Sequence, residues 1–201
     1  MKTDIILSGV GGQGILSIAA VIAHAALIKG LNIKQAEVHG MSQRGGDVQS
    51  NLRLSDLPIA SDIIPSGKAG LIISLEPMES LRYLPMLSLR GWVVTSVKPL
   101  VNIPAYPPVE RISEALSALP HKVLIDAEGL AGEAGSVRAA NMVVLGAAIP
   151  FTGIDLATME EGVRGVLGRK GEDALRINIS ALRAGYNQST QIIGQQQYEN
   201  N

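Results

Sequence analysis

Apolar residues come in short runs broken by glycine, proline and polar clusters. Asp4–Ser8 (DIILS) has the unbroken apolar centre of a strand buried on both faces. Gly9–Gly14 (GVGGQG) is a glycine-rich turn, and Ile15–Lys29 predicts a helix that stops at Gly30. Ala19, Ala20, Ala23, Ala25 and Ala26 let that helix lie close on a sheet. Ile33–Val38 predicts a second strand, followed by a polar loop, His39–Asp47 (HGMSQRGGD). Val48–Leu54 alternates, with Val48, Ser50, Leu52 and Leu54 on one face, and predicts a half-exposed or edge strand.

The second half repeats this alternation. Ala69–Leu75 is a buried strand, Glu79–Leu87 a short helix after Pro77, and Trp92–Val97 another strand. Lys98–Pro108 holds four prolines and predicts an extended loop. A helix over Arg111–Leu119 and a strand over Lys122–Asp126 follow. Arg138–Ile149 predicts an apolar helix, and Leu156–Leu167 and Glu172–Ala184 amphipathic ones. The pattern implies one domain over residues 1–187, with the polar tail 188–201 expected to fray. There is no internal repeat. Strands alternating with helices predict a three-layer, Rossmann-like α/β fold with a mainly parallel sheet. The sheet is expected to be mixed, because Val48–Leu54 follows its predecessor without a helix. Ligands and partners of such sheets dock outside the carboxyl ends of the strands, where the glycine turn and the His39–Asp47 loop both fall.

Composition narrows the function. Of 201 residues, 46% are hydrophobic and 17% charged, enough to build a core and to exclude a disordered chain. The net charge of −1 leaves no basic surplus for nucleic acid. The absence of cysteine excludes disulfides, thiolate nucleophiles and cysteine-ligated iron–sulfur or zinc sites on this chain, and fits the cytoplasm. The longest apolar stretch, Ile15–Ile28, is 14 residues, short of the ~20 that span a bilayer. At the N-terminus, Asp4 precedes a very short apolar run, unlike a secretory signal. No membrane association is expected.

GVGGQG matches G-x-G-x-x-G between a strand and a helix, and Glu37 closes the second strand. This is the spacing of a dinucleotide fingerprint, in which helix N–H groups meet phosphate and an acid meets ribose. The same glycines also suit a plain tight turn, or a backbone platform for another protein. Glu37 runs directly into the polar loop, which weakens the dinucleotide reading. In that loop Gln43, Arg44 and Asp47 bring an amide, a planar fork donor and an acid, while Gly45 and Gly46 permit unusual torsions. It reads either as an anion grip or docking surface, or as a solvated turn with Arg44 paired to Glu37 or Asp47.

Of the three histidines only His39 neighbours the loops, and no metal-ligand spacing links it to His24 or His121. Glu76 and Glu79 fit an acid–base pair or charges at a helix N-terminus, and Asp126 and Glu128 read the same way. Asn141, in an apolar helix, is a buried anchor or a partner-facing group. No nucleophile elbow, P-loop or G-D-G thiamine motif is present. Glycine loops without chemistry of their own suggest a subunit. An NAD(P)-binding oxidoreductase and a non-catalytic nucleotide-binding or assembly module remain as alternatives.

Taken together, GVGGQG at 9–14, EVHGMSQRGGDV at 37–48, IIPSGKAGLIISLEPMESLR at 63–82 and RAANMVVLGA at 138–147 resemble the gamma-type domain of the 2-oxoacid:ferredoxin oxidoreductases. The EVHGMSQRGG form is most similar to the small (beta) subunit of the indolepyruvate type. The resemblance implies CoA-dependent oxidative decarboxylation of arylpyruvates to acyl-CoA, with electrons passed to ferredoxin. It implies that thiamine diphosphate, magnesium and the iron–sulfur clusters sit on a large catalytic partner subunit. On this chain it implies two loops facing the partner or the substrate and CoA region. Gly9, Gly11, Gly12, Gln13 and Gly14 form the first; Glu37, His39, Gln43, Arg44, Gly45 and Gly46 belong to the second. No catalytic or metal-binding residue is implied on this chain.

Overall fold

In the computed structural model the described residues are 1–39, 46–101 and 103–199, the side chains of His39 and of 197–199 excepted. Among them six strands form one sheet: β1 (Lys2–Val10), β2 (Asn32–His39), β3 (Asp47–Ser55), β4 (Ala69–Ser74), β5 (Leu87–Ser96) and β6 (Lys122–Ile125). Their order is β2-β3-β1-β4-β5-β6. β1, β4, β5 and β6 run parallel, while β3 is antiparallel to both β1 and β2. The helices are α1 (Ile15–Ile28), α2 (Pro77–Arg82), α3 (Val109–Ser117), α4 (Ala127–Glu133), α5 (Ala140–Thr152), α6 (Leu156–Leu167) and α7 (Glu172–Glu199). This is the expected three-layer, mainly parallel, mixed α/β fold.

The alternation of faces along β1 explains the layers. Ile5 and Leu7 join Leu52, Leu71, Ile73 and the apolar sides of α1, α5, α6 and α7 in the larger core. Ile6 points the other way, onto Ile64, Ile72 and Val93 in a smaller core on the side of α2. Ile5, Ile6 and Leu7 are all fully buried, as the unbroken apolar run requires of a strand covered on both faces.

Three expectations are corrected. The Val48–Leu54 segment is neither an edge strand nor half-exposed: β3 lies between β1 and β2. Its polar positions are covered by the chain that follows it. Asn51 accepts from the Ile64 N–H, and Arg53 forks onto Asp4 at 2.7 and 3.2 Å while also bonding the Ser61 and Ile63 carbonyls. Polar residues satisfied beneath a loop produce the same alternation as solvated ones. Residues 188–199, expected to fray, are helical in the structure. They continue α7 to Glu199, with Ser189 fully buried and Ile192 and Ile193 against the larger core. Finally, α4 appears where no helix was expected, started by Asp126, which accepts from the Gly129 N–H at 2.9 Å. No helix among the described residues is long and apolar enough to cross a membrane.

Candidate functional site

The glycine turn carries the chain from β1 into α1. Gly12 and Gly14 have φ of 104° and 91°, left-handed values that a side chain would strain. Gln13 stitches two strand ends together: its Oε1 accepts from the Val10 N–H at 2.8 Å, and its Nε2 donates to the Leu75 carbonyl at 3.3 Å. Asn141 donates to the Gly14 carbonyl at 3.4 Å, and a β-carbon on Gly14 would lie 2.6 Å from its Nδ2. Asn141 is therefore an anchor that seats the start of α5 against the start of α1.

The second loop returns beside this turn. The Gly11 N–H donates to the Gly46 carbonyl at 2.8 Å, and the Tyr83 hydroxyl donates to both Asp47 oxygens at 3.0 Å. Burial and that contact with Asp47 raise the Tyr83 phenol well above its ordinary pKa. Gln43, Arg44 and Gly45 lie outside the described residues, as does the side chain of His39. Glu37 sits on β2, with β3 between it and β1. It stands two strand spacings from the glycine turn, about 10 Å. A dinucleotide fingerprint needs its acid on the strand next to the turn. The sheet order therefore removes the geometric support for that reading.

At the carboxyl ends of β1, β4 and β5 a cleft of about 470 Å³ opens, lined by Gly12, Gln13, Leu75, Lys98, Leu100 and Arg138 among others. It lies at the switch point, where successive connections leave the sheet on opposite sides. Lys98 pairs with Glu128 at 2.7 Å, and that bond raises the pKa of the ammonium. Lys98 and Arg138, set against the Glu128 carboxylate that also lines the cleft, leave a net positive charge there, which with the N-terminal ends of α1 and α5 suits an anionic ligand or an acidic protein segment. The sequence reading missed Lys98 and Arg138. Their signal was positional: each sits where the chain crosses the carboxyl edge.

Glu76 and Glu79 do not form an acid–base pair open to this cleft. Glu76 is fully buried and caps α2, its Oε2 accepting from the Glu79 N–H at 2.9 Å. Its Oε1 accepts from the Leu100 N–H at 3.3 Å and the Tyr106 hydroxyl at 2.5 Å. Glu79 forks with Arg82 at 2.7 and 3.2 Å; burial raises its pKa, and Arg82 opposes the rise.

The chain's residues do not fit the redox cofactors of an oxoacid oxidoreductase. It has no cysteine, and among the described residues no three His, Asp or Glu side chains are grouped to hold a metal. The fold and site define a three-layer α/β domain whose glycine turn is bonded to Gly46 beside a cleft at the carboxyl edge of the sheet. Its particular family follows from comparison: residues 4–188 match the Pyruvate ferredoxin/flavodoxin oxidoreductase model, and the chain belongs to that family. It is 35% identical over 198 residues to the indolepyruvate oxidoreductase subunit IorB of Archaeoglobus fulgidus, covering 94% of this chain and 96% of that one. The same subunit of Methanothermobacter thermautotrophicus is also 35% identical, over 92% of this chain and 97% of its own. Two solved structures share the fold. One is the gamma subunit of a keto/oxoacid ferredoxin oxidoreductase from Geobacter sulfurreducens, with a TM-score of 0.68 and 23% identity over 94% of this chain and 99% of that chain. The other is the 2-oxoglutarate:ferredoxin oxidoreductase of Magnetococcus marinus, solved with 2-oxoglutarate, coenzyme A and succinyl-CoA bound. There the TM-score is 0.74 and the identity 21%, over 94% of this chain but 31% of that one.

Proposed function

We propose that this chain is the small subunit of a 2-oxoacid:ferredoxin oxidoreductase acting on arylpyruvates such as indolepyruvate. The complex oxidatively decarboxylates the oxoacid, transfers the acyl group to CoA and passes two electrons to ferredoxin. The observation that carries this reading is the 35% identity to IorB subunits over nearly the whole length of both chains. The lack of cysteine supports placing the iron–sulfur clusters on a large partner, which also holds thiamine diphosphate and magnesium. Gly9, Gly11, Gly12, Gln13 and Gly14, with the loop from His39 through Gln43, Arg44, Gly45 and Gly46, face that partner or the CoA and oxoacid region. Glu37, on the far side of β3, contributes to the rim only. The cleft beside the glycine turn supports this assignment, with Lys98 and Arg138 able to meet carboxylate or phosphate.

The test is reconstitution. The purified chain alone is expected not to reduce a viologen dye with any 2-oxoacid. Co-expressed with its large partner, it is expected to sustain indolepyruvate- and CoA-dependent reduction. Turnover by the isolated chain overturns the subunit reading, and a complex indifferent to arylpyruvates overturns the substrate class.

A further inference from the structure

The segment 97–108 joins β5 to α3 as a strap without helix or strand among its described residues, and Lys98, Pro99 and Leu100 form one wall of the cleft. Little else in the strap explains why it stays there. Pro99, Pro104, Pro107 and Pro108 have no N–H to donate. Its apolar residues do not hold it by burial: Val97, Leu100, Val101 and Ile103 are 45, 41, 63 and 40% exposed. The Lys98–Glu128 pair is exposed at both ends, 59 and 49%, and such pairs contribute about 0–1 kcal/mol.

Its start is held to β6 by the Val97 N–H, which donates to the Ile125 carbonyl at 3.0 Å; further along, among the described residues, two bonds of another kind tie it to the sheet. The Leu100 N–H and the Tyr106 hydroxyl, six residues apart on the strap, converge on the same oxygen, Glu76 Oε1, at 3.3 and 2.5 Å. Glu76 is fully buried, so these charge-assisted bonds act away from water, where they are strongest. The other oxygen is committed to the start of α2 through the Glu79 N–H at 2.9 Å. One carboxylate thus ties a wall of the cleft to the end of β4, directly after Leu75, which lines the cleft floor. Tyr106 reports the same contact: burial and the Glu76 carboxylate raise its pKa well above the ordinary phenol value.

We propose that Glu76 is a positioning residue, which sets the aperture of the switch-point cleft by holding the 97–108 strap through Leu100 and Tyr106. It touches no ligand and acts through the strap. The proposal rests on the reading of this cleft as the place where the complex receives its co-substrate.

The test variant is Tyr106→Phe, which deletes one hydroxyl and leaves the α2 cap intact. Hydrogen exchange on the full chain is expected to quicken about tenfold to a hundredfold at Leu100, Val101 and Ile103, as loss of one charge-assisted bond implies. The amides of α2 are expected to be unchanged, as is the strap in Glu128→Gln, which removes only the exposed ion pair. Glu76→Gln, which keeps an acceptor and loses the charge, is expected to loosen the strap less than Tyr106→Phe. In the reconstituted complex Tyr106→Phe is expected to raise KM for CoA or the oxoacid about tenfold, with kcat within about twofold, the signature of a site assembled only part of the time. Parental exchange in the strap of Tyr106→Phe overturns the proposal. So does a loosened strap with KM unchanged in an active complex. If even the parent complex is inactive with every 2-oxoacid, the functional reading falls instead, and the exchange measurement still decides whether Glu76 holds the strap.

Discussion

Gly146 of α5 and Gly185 of α7 face each other across a helix crossing that leaves neither room for a β-carbon. A β-carbon on Gly146 would overlap the Leu182 carbonyl oxygen, and one on Gly185 the Val143 carbonyl oxygen. Alanine normally stabilises a helix by up to about 1 kcal/mol over glycine. Here the overlap reverses the sign, and backbone atoms cannot move aside as a flexible side chain does. Gly146→Ala and Gly185→Ala are each expected to cost about 1–3 kcal/mol. For a chain of this size that lowers the melting temperature by about 2–4 °C per kcal/mol, measurable by calorimetry.

The end of α7 supplies a second prediction. Beyond the packing of Ile192 and Ile193, Gln196 donates from its Nε2 to the Lys122 carbonyl of β6 at 3.1 Å. Deleting residues 188–201 removes this contact and the apolar cover together. The expected loss is about 2–4 kcal/mol, from two partly buried isoleucines. A truncated chain that melts with the parent would show the segment to be dispensable.

Glu160 is one of the carboxylates on which acid stability depends, beside the more exposed Asp56 and Asp155. It forks with Arg183 at 2.5 and 2.7 Å, joining α6 to α7, and that bond holds its pKa below the ordinary glutamate value. A carboxylate depressed in the folded state stabilises fully above its unfolded pKa, and the contribution is lost as pH falls through the folded value. The melting temperature is therefore expected to decline below about pH 4.5 as this pair protonates. Glu160→Gln should melt lower at neutral pH and show a flatter acid limb. Parallel pH profiles in parent and variant would remove Glu160 from the account.

Despite its fingerprint, the chain is expected not to bind NAD(H) with micromolar affinity. Glu37 is displaced by β3, and Gln13 and Asn141 occupy the turn with hydrogen bonds of their own. Calorimetric titration decides this directly.

The sequence made the layers legible and left the neighbours of each strand illegible. The apolar run at Ile5–Leu7 and the helical spacing in α1 are local facts, and both held. Which strand lies beside β1 is a long-range fact: GVGGQG and Glu37 have the same spacing whether or not β3 intervenes. The helical tail was hidden by its glutamines, although glutamine forms helix well and Ser189, Ile192, Ile193 and Gln196 recur on one helical face. In α4 the glycines at 129 and 132 masked an Ala127–Leu130–Ala131–Ala134 stripe. Asn141 was legible as one of two alternatives, and the Gly14 contact selects the anchor. Tyr106 carried no signal at all, because its partner Glu76 is thirty residues away.

For the second loop the expectation concerns Arg44. The chain just after it is held: Gly46 is bonded to the glycine turn, and Asp47 to Tyr83. Arg44→Ala is expected to leave thermal melting unchanged. It should weaken assembly with the large subunit, or raise KM for CoA or oxoacid, by about 2–5 kcal/mol, roughly 30-fold to several-thousand-fold. If melting, pull-down and kinetics all match the parent, the arginine is a solvated bystander.

The placement of β3 has a consequence for how such a subunit can diversify. Parallel strands normally reach the next strand through a helix, so each loop at the carboxyl edge is also the start of a packed element. The β2–β3 pair is different: its legs are held by pairing from Asn32↔Ser55 to His39↔Val48, and its second leg starts at that edge with no helix of its own. The register of the two legs is set by their own pairing and not by a packed helix between them. On the proposed function, recognition at the loop between them can be rewritten while the cleft beside it, built from helix starts, keeps its shape.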